Sequence, residues 1–143
     1  MVILAADLGL VRTGLAVCDP QERMAFPRGV IEERSERRLV EKLAHAAGEC
    51  GAQCIVVGYP RNMDGSAGPR AQACAHTAEL LRQHVSCPVE LWDERCTTLS
   101  AHTALNATDI RGKKRKAVVD AVAATMILQD YLDYRKNMQS AQA

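Results

Sequence analysis

Aromatic residues are scarce in this chain: one Trp, one Phe and three Tyr among 143 residues. So few rings exclude an extensive base-stacking platform of the kind that single-strand-binding modules build. Long apolar runs are missing too. No stretch approaches the roughly 18 consecutive apolar residues of a membrane span, and the first apolar run follows Met1 with neither a basic leader nor a cleavage site. A soluble, cytoplasmic protein without a membrane partner is expected. The six cysteines (Cys18, Cys50, Cys54, Cys74, Cys87 and Cys96) include no C-x-x-C pair, and the four histidines (His45, His76, His84 and His102) show no H-x-x-x-H spacing. The common zinc patterns are therefore absent, which leaves the thiols as small core residues in a reducing compartment and the histidines as solvated or structural groups. Excess charge is also lacking. Eighteen Lys and Arg against 17 Asp and Glu give a net charge of +1, not the strongly basic balance of many nucleic-acid binders. The exception is local: "RGKKRK" at 111–116 concentrates five cations in six residues.

What is present fits one globular domain, with 48% hydrophobic and 24% charged residues. Three strands are expected first: Val2 to Asp7, Gly14 to Cys18, and Phe26 to Glu32 with Pro27 near its start. Their short links favour an antiparallel meander. Ser35 offers an N-cap to a helix in which Leu39, Val40, Leu43, Ala44 and Ala47 recur at helical spacing and which stops near Gly48 to Gly51. The pattern then becomes strand, helix, strand: "CIVVG" at 54–58, a helix from Pro69 to His84, and "PVELWDE" at 88–94. Helical crossovers imply parallel pairing. Thr97 or Thr98 can cap a short helix through Leu105; the basic loop follows, and a last helix runs from Ala117 to Tyr134 with a polar, frayed tail beyond. No repeat or low-complexity tract interrupts the chain. Together these elements predict a mixed five-stranded α/β sheet.

Acids mark one edge of that sheet. In "ILAADLGLVRTGLAV" (3–17) Asp7 ends an apolar run, and a charge there is costly unless a cation, a counter-charge or hydrogen bonds compensate it. Ligands of open α/β sheets gather outside the carboxyl ends of the parallel strands. Asp7 lies at the end of the first strand, and Asp93 and Glu94 lie at the end of the fifth. Asp120 sits among apolar neighbours in "AVVDAVAATMIL", where Ala123, Ala124 and Ile127 suit close packing on a sheet. Asp120 alone fits an ordinary carboxylate in an early helical turn. Clustered carboxylates, however, repel unless a divalent cation holds them, and Mg²⁺ or Mn²⁺ prefers such oxygen ligands and supports phosphodiester hydrolysis. Gly9 and Gly14 fit either a plain hairpin turn or backbone that approaches a ligand. "GYPRNMDGSAGPR" (58–70) contains the Asp64-Gly65 turn signal, Ser66 as a cap and Pro69 for a first helical turn. That loop is also longer than a strand-to-helix link requires, and Arg61 and Arg70 beside a helix N-terminus suit a nucleic-acid phosphate. Cations at 113–116, just before the helix that carries Asp120, can hold a backbone beside the acids.

Four stretches together resemble the YqgF/RuvX family, the pre-16S rRNA nucleases also described as Holliday-junction-resolvase-like proteins. They are "DLGLVRTGLAVCD" (7–19), "IVVGYPRNMDGSAGPRA" (55–71), "DERCTT" (93–98) and "KRKAVVDAVAATMILQDYL" (114–132). The resemblance implies an RNase H-like fold with sheet order 3-2-1-4-5. It implies one nuclease domain over 1–136 with a polar tail at 137–143, and a phosphodiesterase that uses Mg²⁺ or Mn²⁺. By this likeness Asp7, Glu94 and Asp120 are the catalytic, metal-binding acids, with Asp93 either a ligand or a support. The substrate-contacting set is Arg12, then Arg61, Asn62, Gly65, Ser66 and Arg70 of the long loop, then Arg95, then Lys113, Lys114, Arg115 and Lys116. One departure is visible: the family often carries a second cation just before the arginine of its first motif, and Val11 stands there.

The expected activity is a metal-dependent nuclease on structured nucleic acid, in 5′-end processing of pre-16S rRNA, working as a monomer or homodimer. Holliday-junction cleavage is the close rival, since it uses the same site on branched DNA and needs two spaced sites in a dimer. A phosphotransferase of the actin and sugar-kinase type is suggested by "ADLGLVRTG" but disfavoured by length, because those proteins close two domains over a nucleotide. A non-catalytic nucleic-acid-binding module would retain the cations without needing three acids.

Overall fold

The computed structural model describes residues 1–93 and 112–142, with side chains of the second stretch described over 121–138. An antiparallel meander of β1 (Ile3–Asp7), β2 (Arg12–Cys18) and β3 (Ala25–Glu32) opens the chain. It is followed by α1 (Glu36–Cys50), β4 (Cys54–Tyr59), α2 (Pro69–Arg82), β5 (Val89–Asp93) and α3 (Gly112–Gln142). The five strands form one sheet in the order β3-β2-β1-β4-β5, with β4 parallel to both β1 and β5. The expected order and strand directions are both present. Turn length explains the directions: links of a few residues reverse the chain, whereas each helical crossover returns it parallel.

The two central strands are covered on both faces, which is why "ILAA" and "CIVV" read as nearly unbroken apolar runs. Leu4, Ala6, Leu8, Leu15, Ile55 and Val57 face Leu39, Val40 and Leu43 of α1 and Cys74, Ala78 and Leu81 of α2. Ile3, Ala5, Ala16, Cys18 and Val56 face Ala124, Ile127, Leu128, Tyr131 and Leu132 of α3. Alanines on both sides of the second interface let α3 lie close to the sheet, as the sequence predicts.

Helix ends follow local chemistry in part. The Ser35 hydroxyl accepts from the Arg38 N–H at 3.4 Å, and Gly51 ends α1 in the left-handed conformation at φ 67°. Pro69 opens α2 as expected. Ser66 does not cap it: Gly68 holds the N-cap position, and the Ser66 hydroxyl instead donates to Asp64 at 2.6 Å. The basic stretch is not a loop, because α3 already includes Gly112 to Lys116, and the helix continues through the polar tail to Gln142. Lys and Arg are good helix formers, and no proline or strong cap separates them from Ala117. The expected short helix after Thr97 or Thr98 lies outside the described residues.

None of the described cysteines forms a disulfide. Burial pushes the Cys54 thiol up to about 11 and raises that of Cys18 as well, so both stay protonated. Among the described residues no helix is long and apolar enough to cross a membrane.

Candidate active site

Strand alternation decides which face each edge residue serves. Ile3 and Ala5 pack under α3 while Leu4, Ala6 and Leu8 pack toward α1 and α2, so Asp7 belongs to the α3 face at the carboxyl end of β1. Its cross-strand partner is Gly14. Partners in an antiparallel pair share a face, so Gly14 sets no side chain against the carboxylate, and its backbone is buried there. Arg12 lies two residues before Gly14 on that same face and pairs in register with Glu32 of β3. The Arg12 guanidinium is thus a diagonal neighbour of Asp7, within the reach of a long side chain.

Gly9 has a different reason. A Cβ there would fall 2.2 Å from the Arg12 carbonyl oxygen, so the β1–β2 turn closes only over a residue without a side chain. The hairpin turn therefore accounts for Gly9, while Gly14 lies buried opposite Asp7.

The direction of α3 brings its amino half to the same edge. Gln129 accepts from the Ala25 N–H at 3.2 Å, and Arg135 donates to Glu22 at 2.6 Å. Ala25 pairs with Cys18, at the amino-terminal edge of β1. Back from 129 to 120 the helix rises about 14 Å, close to the span of β1 itself, so the backbone of residue 120 reaches the Asp7 edge. Position 120 also lies one turn before Ala124, on the stripe of Ala124, Ile127, Leu128 and Tyr131 that covers the sheet. The backbone of residues 113–116 continues in the same direction. The side chains of Asp120, Lys113, Lys114, Arg115 and Lys116 lie outside the described residues, as do Glu94 and Arg95 altogether.

Asp93 falls on the other face. Val89 and Leu91 pack toward α2, whereas Trp92 packs under α3 with its ring 5.6 Å from that of Tyr131. Alternation therefore groups Asp93 with Val89 and Leu91. Its carboxylate lies 3.7 Å from Nη1 of Arg61, a pairing that nothing in the local sequence announces. The period-two pattern of "VELWD" is the available signal that Asp93 and Asp7 serve opposite faces.

The long loop is bound to itself. Nε of Arg61 donates to the Gly65 carbonyl at 2.9 Å, and Asn62 Nδ2 donates to the Ser66 hydroxyl at 3.0 Å. Nη2 of Arg70 donates to the Leu8 carbonyl at 2.6 Å, which ties the start of α2 to the β1–β2 turn. Behind that turn lies a cleft of about 160 Å³ lined by Leu8, Leu10, Glu36, Leu39, Arg70 and Thr77, on the α1–α2 side and away from Asp7.

Cys18 and Cys54 sit at the opposite end of the sheet, while His45 pairs with Glu49 and His76 with Glu36 on exposed helix surfaces. His102 and Cys96 lie outside the described residues. Among the described residues no three His, Cys, Asp or Glu side chains group to hold a metal. The donor available at the Asp7 edge is a carboxylate, the hard oxygen type that suits Mg²⁺ or Mn²⁺ rather than zinc. Three of the five aromatic residues are used structurally, because Trp92 packs on both Tyr131 and Tyr134.

A mixed sheet of this order, with an acid at the carboxyl edge of its central strand, defines an RNase H-like fold. Solved structures agree: RuvC of Thermus thermophilus with a Holliday junction substrate superposes with a TM-score of 0.58 over 95% of this chain and 96% of that one, at 14% identity. The fowlpox virus resolvase with Holliday junction DNA gives 0.56 over 94% and 98%, at 9% identity. The family is defined by sequence: residues 1–134 match the RuvX model, described as "Holliday junction resolvase", and the chain belongs to that family of nucleases. Similar proteins named "Putative pre-16S rRNA nuclease" include one from Chloroflexus aurantiacus, 39% identical over 95% of this chain and 89% of its own length. Another, from Geobacillus thermodenitrificans, is 41% identical over 95% and 100%.

Proposed function

We propose that this protein is a divalent-cation-dependent nuclease that hydrolyses phosphodiester bonds in structured RNA, with 5′-end processing of precursor 16S rRNA as its role. The single observation that carries the reading is the edge itself. Asp7 ends the central strand in register with Gly14, with Arg12 on the same face and the α3 backbone at residue 120 drawn to the same level. Asp7, Glu94 and Asp120 would hold Mg²⁺ or Mn²⁺. When bound, such a cation supplies Lewis-acid polarisation of the phosphodiester and activates the attacking water.

The chain's own residues do the rest. Arg12 sets a fixed positive charge next to Asp7, suited to a substrate phosphate that would otherwise be repelled by the acids. Lys113, Lys114, Arg115 and Lys116 precede Asp120 on one helix and supply sequence-independent attraction for the nucleic-acid backbone. With most rings committed to packing, affinity comes mainly from phosphates. The names of the relatives at 39% and 41% identity support the rRNA substrate. The described thiols stand outside any disulfide, and burial keeps that of Cys54 protonated, which suits the reducing cytoplasm where such a precursor is processed.

The test is cleavage by Asp7→Asn, Glu94→Gln and Asp120→Asn, each checked for folding by circular dichroism and melting. Each is expected to fold and to lose cleavage. A folded variant that cuts at the wild-type rate removes that residue from the site. Junction cleavage is the second reading, favoured by the description of the family model. One preparation with one metal, offered both a precursor rRNA end and a four-way DNA junction, separates the two.

A further inference from the structure

The ends of β4 and β5 and the loop beyond them form one bonded unit. Tyr59 and Asp93 are register partners. Two residues after Tyr59, the Arg61 N–H turns back onto the Tyr59 carbonyl at 3.0 Å. The Asn62 N–H then donates to the Ser66 carbonyl at 2.9 Å, and the Gly65 N–H donates to the Asn62 carbonyl at 2.8 Å. The Arg61 side chain joins these parts. Its Nε and Nη2 both donate to the Gly65 carbonyl, while Nη1 faces Asp93 Oδ2 at 3.7 Å.

We infer that Arg61 is a positioning residue, which clamps the loop to the end of β5 through Asp93, and that Asp93 is the anchor of this clamp and not a cation ligand. The inference rests on the nuclease reading, in which Glu94, the next residue along the chain, belongs to the site. A guanidinium is suited to the task because its planar fork engages a carbonyl and a carboxylate at once, which a lysine ammonium cannot reproduce from one point. With all three nitrogens turned toward protein oxygens, Arg61 has less to give a phosphate. Asp93 in turn lies on the Val89 and Leu91 side of β5, away from the face of Asp7. Loosening the clamp frees both the loop and the strand end, so it misplaces residue 94 without removing any cation-binding oxygen.

The experiment uses the full chain and four variants: Arg61→Gln, Arg61→Lys, Asp93→Ala and Asp93→Asn. Amide hydrogen exchange over residues 59–68 is measured without nucleic acid, and kcat, KM and the salt dependence of binding are measured on a precursor rRNA end. Arg61→Gln and Asp93→Ala are each expected to speed exchange about three- to tenfold, as the removal of an exposed ion pair and a carbonyl hydrogen bond allows. Their double variant is expected to add nothing further. The same variants are expected to lower kcat about tenfold, with KM and the salt slope unchanged; Arg61→Lys does not restore it. Asp93→Asn removes the charge that faces Arg61 and is expected to behave as Asp93→Ala, while both keep the wild-type rise in melting temperature with Mn²⁺. A salt slope that falls by about 0.7 to 0.9 in Arg61→Gln alone would make Arg61 a phosphate contact and overturn the clamp. So would loss of the Mn²⁺ shift in Asp93→Asn, the signature of a missing cation ligand, or exchange that Asp93→Ala leaves unchanged. If wild type cuts no nucleic acid, the nuclease reading fails, and the exchange measurement still decides whether the clamp exists.

Discussion

Gly9→Ala tests how the β1–β2 turn holds the site together. The added methyl would meet the Arg12 carbonyl oxygen at 2.2 Å, where real Cβ contacts are essentially never shorter than 3.0 Å. The obstacle is backbone. Arg12 opens β2 and is paired with Glu32, and the neighbouring Val11 carbonyl accepts from the Glu33 N–H at 2.8 Å, so the turn cannot yield without breaking the hairpin's register. Opening it by close to an ångström is expected to cost about 2 to 3 kcal/mol. For a domain of this size that lowers the melting temperature by roughly 6 to 9 °C. Because Asp7 and Arg12 flank the turn, cleavage should fall about ten- to a hundredfold, as a displacement of this size at a reacting centre does. Gly48→Ala is the internal control. Gly48 lies on the exposed side of α1 with nothing within 4 Å of an added Cβ, so the substitution should stabilise by about 0.5 to 1 kcal/mol and leave cleavage unchanged. Melting followed by circular dichroism, with single-turnover cleavage on the same samples, reads both. A Gly9→Ala protein that melts within about 1 °C of wild type would refute the turn-closure account.

Four further outcomes are expected. Mn²⁺ at a hundredfold over its dissociation constant should stabilise wild type by about 2.7 kcal/mol, roughly 8 °C in melting temperature, and Asp7→Asn should lose most of that shift; a wild-type curve unmoved by Mn²⁺ leaves Asp7 without a cation. Neutralising Lys113, Lys114, Arg115 and Lys116 together should flatten the salt dependence of nucleic-acid binding by about 0.7 to 0.9 log units for every phosphate these cations neutralise, equally for all sequences, and an unchanged slope would make these residues merely solvated. The hydrogen bond from Arg135 holds Glu22 below its ordinary 4.5, so its stabilisation is present above that value and is lost as pH falls through the folded-state pKa; melting from pH 6 to pH 3 should drop less steeply in Arg135→Gln than in wild type. Cys54, buried and raised to about 11, should resist iodoacetamide at pH 8 in the native protein and react once it is unfolded, as peptide mass analysis would show.

The order of elements was legible in the sequence because the forces that set it are local or periodic. Unbroken apolar runs at "ILAA" and "CIVV" announced strands buried on both faces, links of a few residues announced the meander, and Ser35, Gly51 and Pro69 marked helix ends through the backbone groups beside them. Asp7 could be singled out for the same reason, since a charge that ends a buried strand needs compensation wherever the strand goes. Ser66 and the start of α3 were misjudged where two local options lay close in energy: a serine satisfied by either a helix end or an Asx turn, and lysines compatible with either loop or helix. The partners of the arginines belonged to tertiary structure alone. Arg70 reaches the Leu8 carbonyl across 62 residues of sequence, and Arg61 meets Asp93 only because β4 and β5 pair side by side. A long, flexible cation carries no local preference among carbonyl, carboxylate and phosphate. Its choice is made by whichever oxygen the packed sheet and helices bring within reach, so the same arginine reads as substrate contact in sequence and as a tie within the protein once the fold has formed.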